Sequence, residues 1–392
     1  MLIGSLLVCL CLAYTAGFGC FRLLWAELAD NTLALEQGDY QSLGVFWEAW
    51  NQVEQHFYGE LPSPRERTYG AIYGALALLG DPHTRFVEPQ PRELEQDRMR
   101  GAFGGIGVTL WRDAESRMVL SPYPDSPAEQ AGVREGDILL AVDAEEITDE
   151  TTIDDVRARL HGEVSTPVTL TISRPGPKGY TPTPPFDLTI TRDEIQVPSV
   201  TWRVLDQAPE IGYVCIESFT ERTDDELLTA LQELREAKTV SLVLDLRDNA
   251  GGLIEPAVAV ASQFLRDGVV LHELNHDDQE QTIRAQSGGV ATDVPLVVLV
   301  NGGTASAAEI VAAALQDHDR ALLIGETTHG KGSVQLIYEL SDGSSLHVTS
   351  AIWLTPSRHR IEGQGLTPDV YVPRSEGPQD VQLDRAAAYL QP

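Results

Sequence analysis

The chain has 392 residues, room for two to three domains, and with 42% apolar and 22% charged residues it is globular and not disordered or collagenous. Basic residues number 28 against 59 acidic ones, a net charge of −31. A surface that acidic repels phosphate backbones and anionic lipid, which excludes nucleic acid as a partner and polybasic membrane attachment. Lysine occurs at only three positions, 178, 238 and 331, whereas arginine occurs 25 times. A buried lysine can lose its proton and arginine cannot, so a retained lysine is a candidate for chemistry.

Residues 1–21 carry no charge, and that length spans hydrocarbon. The alternatives are a cleaved signal peptide and an uncleaved anchor. No A-x-A cleavage site precedes Arg22, and Phe18 is too bulky for the Gly17–Cys20 run to serve as one, which favours the anchor; residues 1–25 are assigned as anchor or signal segment. Cys9, Cys11 and Cys20 all lie in this stretch and only Cys215 lies elsewhere, so there is no disulfide scaffold and no CxxC zinc or redox motif.

Apolar residues at helical spacing run through VFWEAWNQVEQHF and TYGAIYGALALLG, the second run stopping at Gly80-Asp81-Pro82. Residues 40–100 therefore form a helical segment. Residues 101–176 change to short β-rich runs (GIGVTLW, MVLSPY, DILLAVD, PVTLTISR) with two brief helical patterns, PAEQAGV and TIDDVRARL. PGPKGYTPTPP at 175–185 reads as a loop or linker. From about 200 strands alternate with helices. Thr223 to Glu226 fits a capping box, and Val294 to Val300 is a continuous apolar strand of the kind found in sheets covered on both faces. Residues 177–375 are thus an α/β layer domain. Residues 376–392 read as a tail with a possible final helix.

Three of these strands end in glycine-bearing turns: Leu246 before Gly251-Gly252, Val300 before Gly302 to Ser306, and Ile324 before Gly325 to Gly332. Sites in α/β sheets form at the carboxyl ends of strands, and glycine lets backbone N–H groups approach a ligand. Ser306 has two readings. Ser306-Ala-Ala-Glu309 is itself a capping box, and a serine at a strand-to-helix turn is also a nucleophile whose alkoxide the helix N-terminus would favour. Gly325 to Lys331 follows a phosphate-loop spacing, but Gly332 stands where Ser or Thr is required and the following SVQLIYEL reads as a strand. Lys331 remains either a general base, neutral through burial, or a surface lysine in a turn. His329, two residues away, is the alternative base, against its reading as a solvated turn residue.

These residues match a known family. NGGTASAAEIVAAAL, GETTHGKGSVQ and DGSSLHVTSAIWLTPSRHRIEGQGLTPDV resemble the carboxyl-terminal processing peptidases, serine proteases of the tail-specific class (the S41 family). DLRDNAGGL is similar to a further segment, with Ala250 where proline is usual. GAFGGIGVTL and SPAEQAGVREGDILLAVD resemble the family's inserted PDZ domain, and GALALLGDPHTRFVEPQ its helical segment. The resemblance covers roughly residues 44–374. It implies a layered α/β protease core with an inserted mostly-β PDZ domain. It implies a Ser306–Lys331 dyad assisted by Gln335, and oxyanion donors at Gly251, Gly252 and Ala307. His329 falls where the family has a non-catalytic residue. Phe103, Gly104, Gly105, Ile106 and Gly107 resemble a PDZ carboxylate-binding loop, whose other reading is an ordinary Gly-rich hairpin.

The implied activity is endopeptidase cleavage of protein or peptide substrates with apolar C-termini, without metal or cofactor, in the cell envelope outside the cytoplasm. Homo-oligomerisation stays open. The alternative is a catalytically inactive binding module on the same fold, against which the joint presence of Ser306, Lys331 and Gln335 weighs.

Overall fold

A computed structural model describes residues 37–176 and 183–391. The uncharged stretch at 1–25 lies outside the described residues, among which no helix is long and apolar enough to cross a membrane. The chain divides into two compact units, Met1–Gly74 and Ala75–Pro392.

In the first unit, α1 (Gln37–His56) is followed by α2 (Pro64–Ala77). Ser63 and Glu66 open α2 by reciprocal bonds, at 2.7 and 3.2 Å, with Pro64 at the first helical position. Arg67 ties the two helices together. It lies over the rings of Trp47 and Trp50 and pairs with Glu54 at 2.6 Å.

The second unit begins with a departure from the helical expectation. The Asp81 carboxylate accepts from the N–H groups of His83 and Thr84 and from the Thr84 hydroxyl, which makes a turn and releases β1 (Arg85–Val87) as a strand with Phe86 and Val87 buried. Helix α3 (Pro89–Arg100) follows and stops at Gly101, which takes the left-handed conformation at φ 70°.

Next come β2 (Ala102–Gly105), β3 (Val108–Arg112), β4 (Met118–Pro122), α4 (Pro127–Ala131), β5 (Asp137–Val142), β6 (Glu145–Glu146), α5 (Ile153–Leu160), β7 (Pro167–Ser173), β8 (Phe186–Thr191) and β9 (Asp193–Gln196). An antiparallel sheet in the order β3-β4-β5-β7-β8, with β6 on β5, buries Leu110, Leu120, Leu139, Leu170 and Ile172 against Val156 and Leu160 of α5. Strand β8 pairs with β7 from Pro167 to Ile172, and β9 pairs with β2. The boundary expected at 176/177 is therefore corrected: the proline-rich segment joins two strands of one sheet, and this domain runs on to Gln196. Proline marks a break in local structure equally well inside a domain and between domains, so composition alone misplaced the boundary.

The α/β core comprises β10 (Val200–Leu205), β11 (Ala208–Ile216), α6 (Thr223–Glu236), β12 (Ser241–Asp245), α7 (Ile254–Phe264), β13 (Val269–Asn275), β14 (Glu280–Arg284), β15 (Leu296–Val300), α8 (Ala307–Asp317), β16 (Leu322–Gly325), β17 (Ser333–Glu339), β18 (Ser345–Leu354), β19 (Val370–Tyr371) and α9 (Val381–Leu390). One sheet runs β10-β11-β12-β15-β16-β19, parallel from β11 onward. Leu242 and Leu244 of β12 face the cluster holding α6, α7 and α8, whereas Val243 faces a second cluster with Ala386 and Leu383 of α9. Both faces are covered, which is why β12 and β15 read as unbroken apolar runs. Residues 376–392 are thus not a peripheral tail: α9 is a layer of the core. A second, antiparallel sheet runs β1-β18-β13-β14, with β17 along β18.

The capping box expected at Thr223 and Glu226 does not form. Arg222 occupies the cap position without a side-chain bond, and Glu226 instead accepts from the N–H groups of Ser199 and Val200, holding the start of β10.

Candidate active site

The three glycine turns meet at one end of the parallel sheet, sewn together by short polar residues. Thr304 donates its hydroxyl to Leu246 O at 2.8 Å, and Asn301 accepts from Asp248 N–H at 2.9 Å. Ala305 N–H reaches Asn249 O and His329 N–H reaches Thr304 O, both at 2.9 Å. The glycines allow this approach. A Cβ on Gly251 (φ 103°) would lie 2.8 Å from Ser306 Cβ, and one on Gly325 (φ 136°) would lie 2.0 Å from Val300 O.

Ser306 precedes α8 with φ 54° and ψ −119°, a conformation rare for a residue with a Cβ and outside the extended region in which an N-cap serine normally sits. The backbone is held there by Glu309, which is fully buried. Its Oε2 accepts from the N–H groups of both Ser306 and Lys331, each at 2.9 Å. Its Oε1 accepts from Gly330 N–H at 2.7 Å and the Thr328 hydroxyl at 2.5 Å. Four donors compensate the buried carboxylate. The glutamate legible in the sequence as half of a cap is in addition the clamp between the serine turn and the lysine loop. That second role depends on a loop distant in the chain, which no local pattern signals.

The lysine loop is fixed from its other side too. Gly332 N–H donates to Glu362 at 2.6 Å, and the buried Trp353 gives its indole N–H to Lys331 O at 3.0 Å. Burial pulls the Lys331 ammonium below its ordinary pKa, and the charge of Arg85 adds to this; Glu362 and Glu95 oppose it. His329 is exposed, as expected of a turn residue.

Not every expected contact is made. Among the described residues no hydrogen bond joins the Ser306 hydroxyl to the Lys331 ammonium, and Gln335 gives its amide to Ser333 at 2.8 Å instead of to Lys331. Gly251 N–H is taken by Asn249 Oδ1 at 2.8 Å. Gly252 N–H has no hydrogen-bond partner among the described residues, and Ala307 N–H, at the first position of α8, lies where a helix leaves its donors free.

A cluster that sequence reasoning missed adjoins the site. Arg247 pairs with Asp245 and with Asp380 at the start of α9, and Tyr213 donates to Asp245 at 2.8 Å. Arg247 thereby ties the first glycine turn to the last helix of the chain.

Of the carboxylate-loop candidates, Phe103, Gly104 and Gly105 lie in β2, and Ile106 and Gly107 lead into β3, the edge of its sheet. Gly107 has φ 72°, and a Cβ there would lie 2.6 Å from Ser126 Cβ. Phe103 stacks on His161, with centroids 6.1 Å apart.

Comparison with known proteins gives the family. The profile for Peptidase family S41 matches residues 210–372, which include Ser306, Glu309 and Lys331, and a PDZ domain profile matches residues 118–174. A carboxy-terminal-processing protease of Bartonella bacilliformis is 36% identical over 342 residues, covering 86% of this chain and 76% of its own. The chain belongs to peptidase family S41. A carboxyl-terminal-processing protease of Synechocystis is also 36% identical, over 83% of this chain and 77% of that protein. The solved photosystem II D1 C-terminal processing protease is 33% identical, covers 87% of this chain and 90% of its own, and superposes with a TM-score of 0.50. The peptidase is a hydrolase of peptide bonds carrying a PDZ domain.

Proposed function

We propose that the peptidase cleaves proteins near a free, apolar C-terminus held by the PDZ domain, using Ser306 as nucleophile and Lys331 as general base. The observation that carries this reading is the single oxygen of Glu309 that accepts from both Ser306 and Lys331, fixing the two backbones to a common point. Neutral Lys331 takes the proton of the Ser306 hydroxyl as Oγ attacks the scissile carbonyl. The tetrahedral oxyanion is met by the N–H groups of Gly252 and Ala307, while Gly251, its own N–H occupied, brings that turn against the serine. Lys331 returns the proton to the leaving amine, and water then hydrolyses the acyl-enzyme. Closure of the pair requires rotation of the lysine side chain toward Ser306, and a corresponding turn of Gln335 away from Ser333.

The PDZ reading rests on the Phe103–Gly107 segment beside an edge strand, where successive N–H groups hold a terminal carboxylate and a peptide strand adds to the sheet. The test is Ser306→Ala assayed on an apolar-ended peptide. The variant is expected to be inactive with an unchanged fold by circular dichroism. Activity equal to the parent would remove Ser306 from the mechanism.

A further inference from the structure

The run RIEGQGLTPDV supplies no reacting group, yet it lies along the lysine loop. Thr328 N–H donates to Leu366 O at 3.1 Å, and Leu366 N–H returns a bond to the Thr328 hydroxyl at 2.7 Å. Gly363 N–H donates to Gly330 O at 2.9 Å. Ile361 and Leu366 are buried in the main core cluster and anchor the segment between them. Residues 361–366, in the turns between β18 and β19, therefore splint the loop from Thr328 to Gly332.

Three successive N–H groups of that loop end on carboxylates. Gly330 and Lys331 donate to Glu309 of α8, and Gly332 donates to Oε2 of Glu362 at 2.6 Å. Glu309 is fully buried, whereas Glu362 is half-exposed, with its Oε1 3.9 Å from Nε2 of His83 in the turn that leads into β1. Among the described residues no carboxylate pairs directly with the Lys331 ammonium, so its protonation answers to the charges around it. Burial and Arg85 of β1 favour the neutral form; Glu362, and Glu95 of α3, favour the charged form. Glu309 stands at the loop backbone, His329 is on the loop itself, and His83 lies beyond Glu362.

We propose that Glu362 is a positioning residue for Lys331, holding the lysine loop at Gly332 N–H alongside the Glu309 clamp and setting a negative charge near the base. The two effects lie on one side chain but act on different steps. The bond to Gly332 fixes where the lysine stem begins, so it bears on turnover once the base is neutral. The charge stabilises the ammonium, so it bears on the pH at which the neutral base becomes available. Accepting one backbone N–H needs only an oxygen, which glutamine would supply; a carboxylate adds charge beyond that need. Glu362 thus keeps Lys331 protonated to higher pH than burial and Arg85 alone would allow. The proposal rests on the reading of Lys331 as general base.

The experiment measures kcat and KM against pH on one apolar-ended peptide, using the full chain as parent, Glu362→Gln and Glu362→Asp. Glu362→Gln keeps an acceptor oxygen for Gly332 and removes the charge, so the rising limb of kcat/KM is expected to move to lower pH. Glu362→Asp keeps the charge but is one methylene too short to reach Gly332. Its limb is expected to stay closer to the parent's, while its plateau kcat falls by about tenfold or more, and further than in Glu362→Gln. A limb that Glu362→Gln leaves in place overturns the proposal, as does an undiminished plateau kcat in Glu362→Asp. A change confined to KM in both variants also overturns it, because it places Glu362 in the substrate site. The position of the limb does not depend on how much of each variant is folded, so partial loss of fold does not blur the result. Lys331→Arg separates the two levels. A limb that persists there means that the base reading itself has failed, whereas a limb that vanishes there but stays fixed in Glu362→Gln counts against Glu362 alone.

Discussion

Ser306 was legible in the sequence as a serine at a strand-to-helix turn, but not which of its two roles prevails. The backbone supports the proposed nucleophile role. At φ 54° and ψ −119° the residue is strained, a cost of about 1–3 kcal/mol that a simple capping serine has no reason to bear. Glycine meets no Cβ penalty at such angles. Ser306→Gly should therefore be more stable than Ser306→Ala by about 1 kcal/mol in urea denaturation, with both inactive. Equal stability would show that the turn is not strained. For Lys331 the scarcity of lysine in the chain was the only compositional hint. Its electrostatic setting was invisible, because Arg85 approaches from a strand that the sequence pattern placed inside a helical segment. Removing that positive charge in Arg85→Ala should raise the lysine pKa and move the rising limb of kcat/KM to higher pH. An unmoved limb would exclude Arg85 from the setting of the base.

The turns and strands that assemble the site show where local reading succeeds. Strand ends, glycine turns and the helix start at α8 are local signals, and all appear within two residues of their expected places. Glu309 shows the limit, since its bonds to Thr328, Gly330 and Lys331 arise only from tertiary packing. Glu309→Gln keeps the volume but replaces an acceptor oxygen with an NH2 group. It should orphan the N–H groups of Ser306 and Lys331 if Nε2 takes that position, at about 1–3 kcal/mol each, and lower kcat by at least about a hundredfold. A stable and active Glu309→Gln enzyme would show that the clamp is dispensable. The Asp81 turn gives an element-scale pH effect. Burial acts to raise the Asp81 carboxyl, but the hydrogen bonds from Thr84 and His83 help to outweigh it and lower its pKa to about 2. Its stabilisation is full above the usual carboxylate range and is lost as pH falls toward about 2. Asp81→Asn should accordingly lose stability near neutrality and flatten the acid side of the stability curve; an unchanged curve would remove this turn from the balance.

In the whole molecule, the longest-range features were the least legible. The order of helical segment, β-rich domain and α/β core could be read from periodicity, but the proline-rich stretch at 175–185 suggested a domain boundary inside a sheet. Helix α9 was too short and too near the end to declare its place, although it covers Val243, Val297, Leu299 and Ile324 and is tied through Asp380 to Arg247 beside the site. The central claim is that Lys331, neutral in the free enzyme, activates Ser306. Its most direct test is the pH dependence of Ser306 acylation by a serine-directed probe in the parent and in Lys331→Arg. The expected result is an adduct on Ser306 whose rate rises through an apparent pKa below about 10.4, the lysine reference value, and falls by several orders of magnitude in Lys331→Arg. An adduct on another residue, or a Lys331→Arg enzyme acylated as fast as the parent, would contradict it.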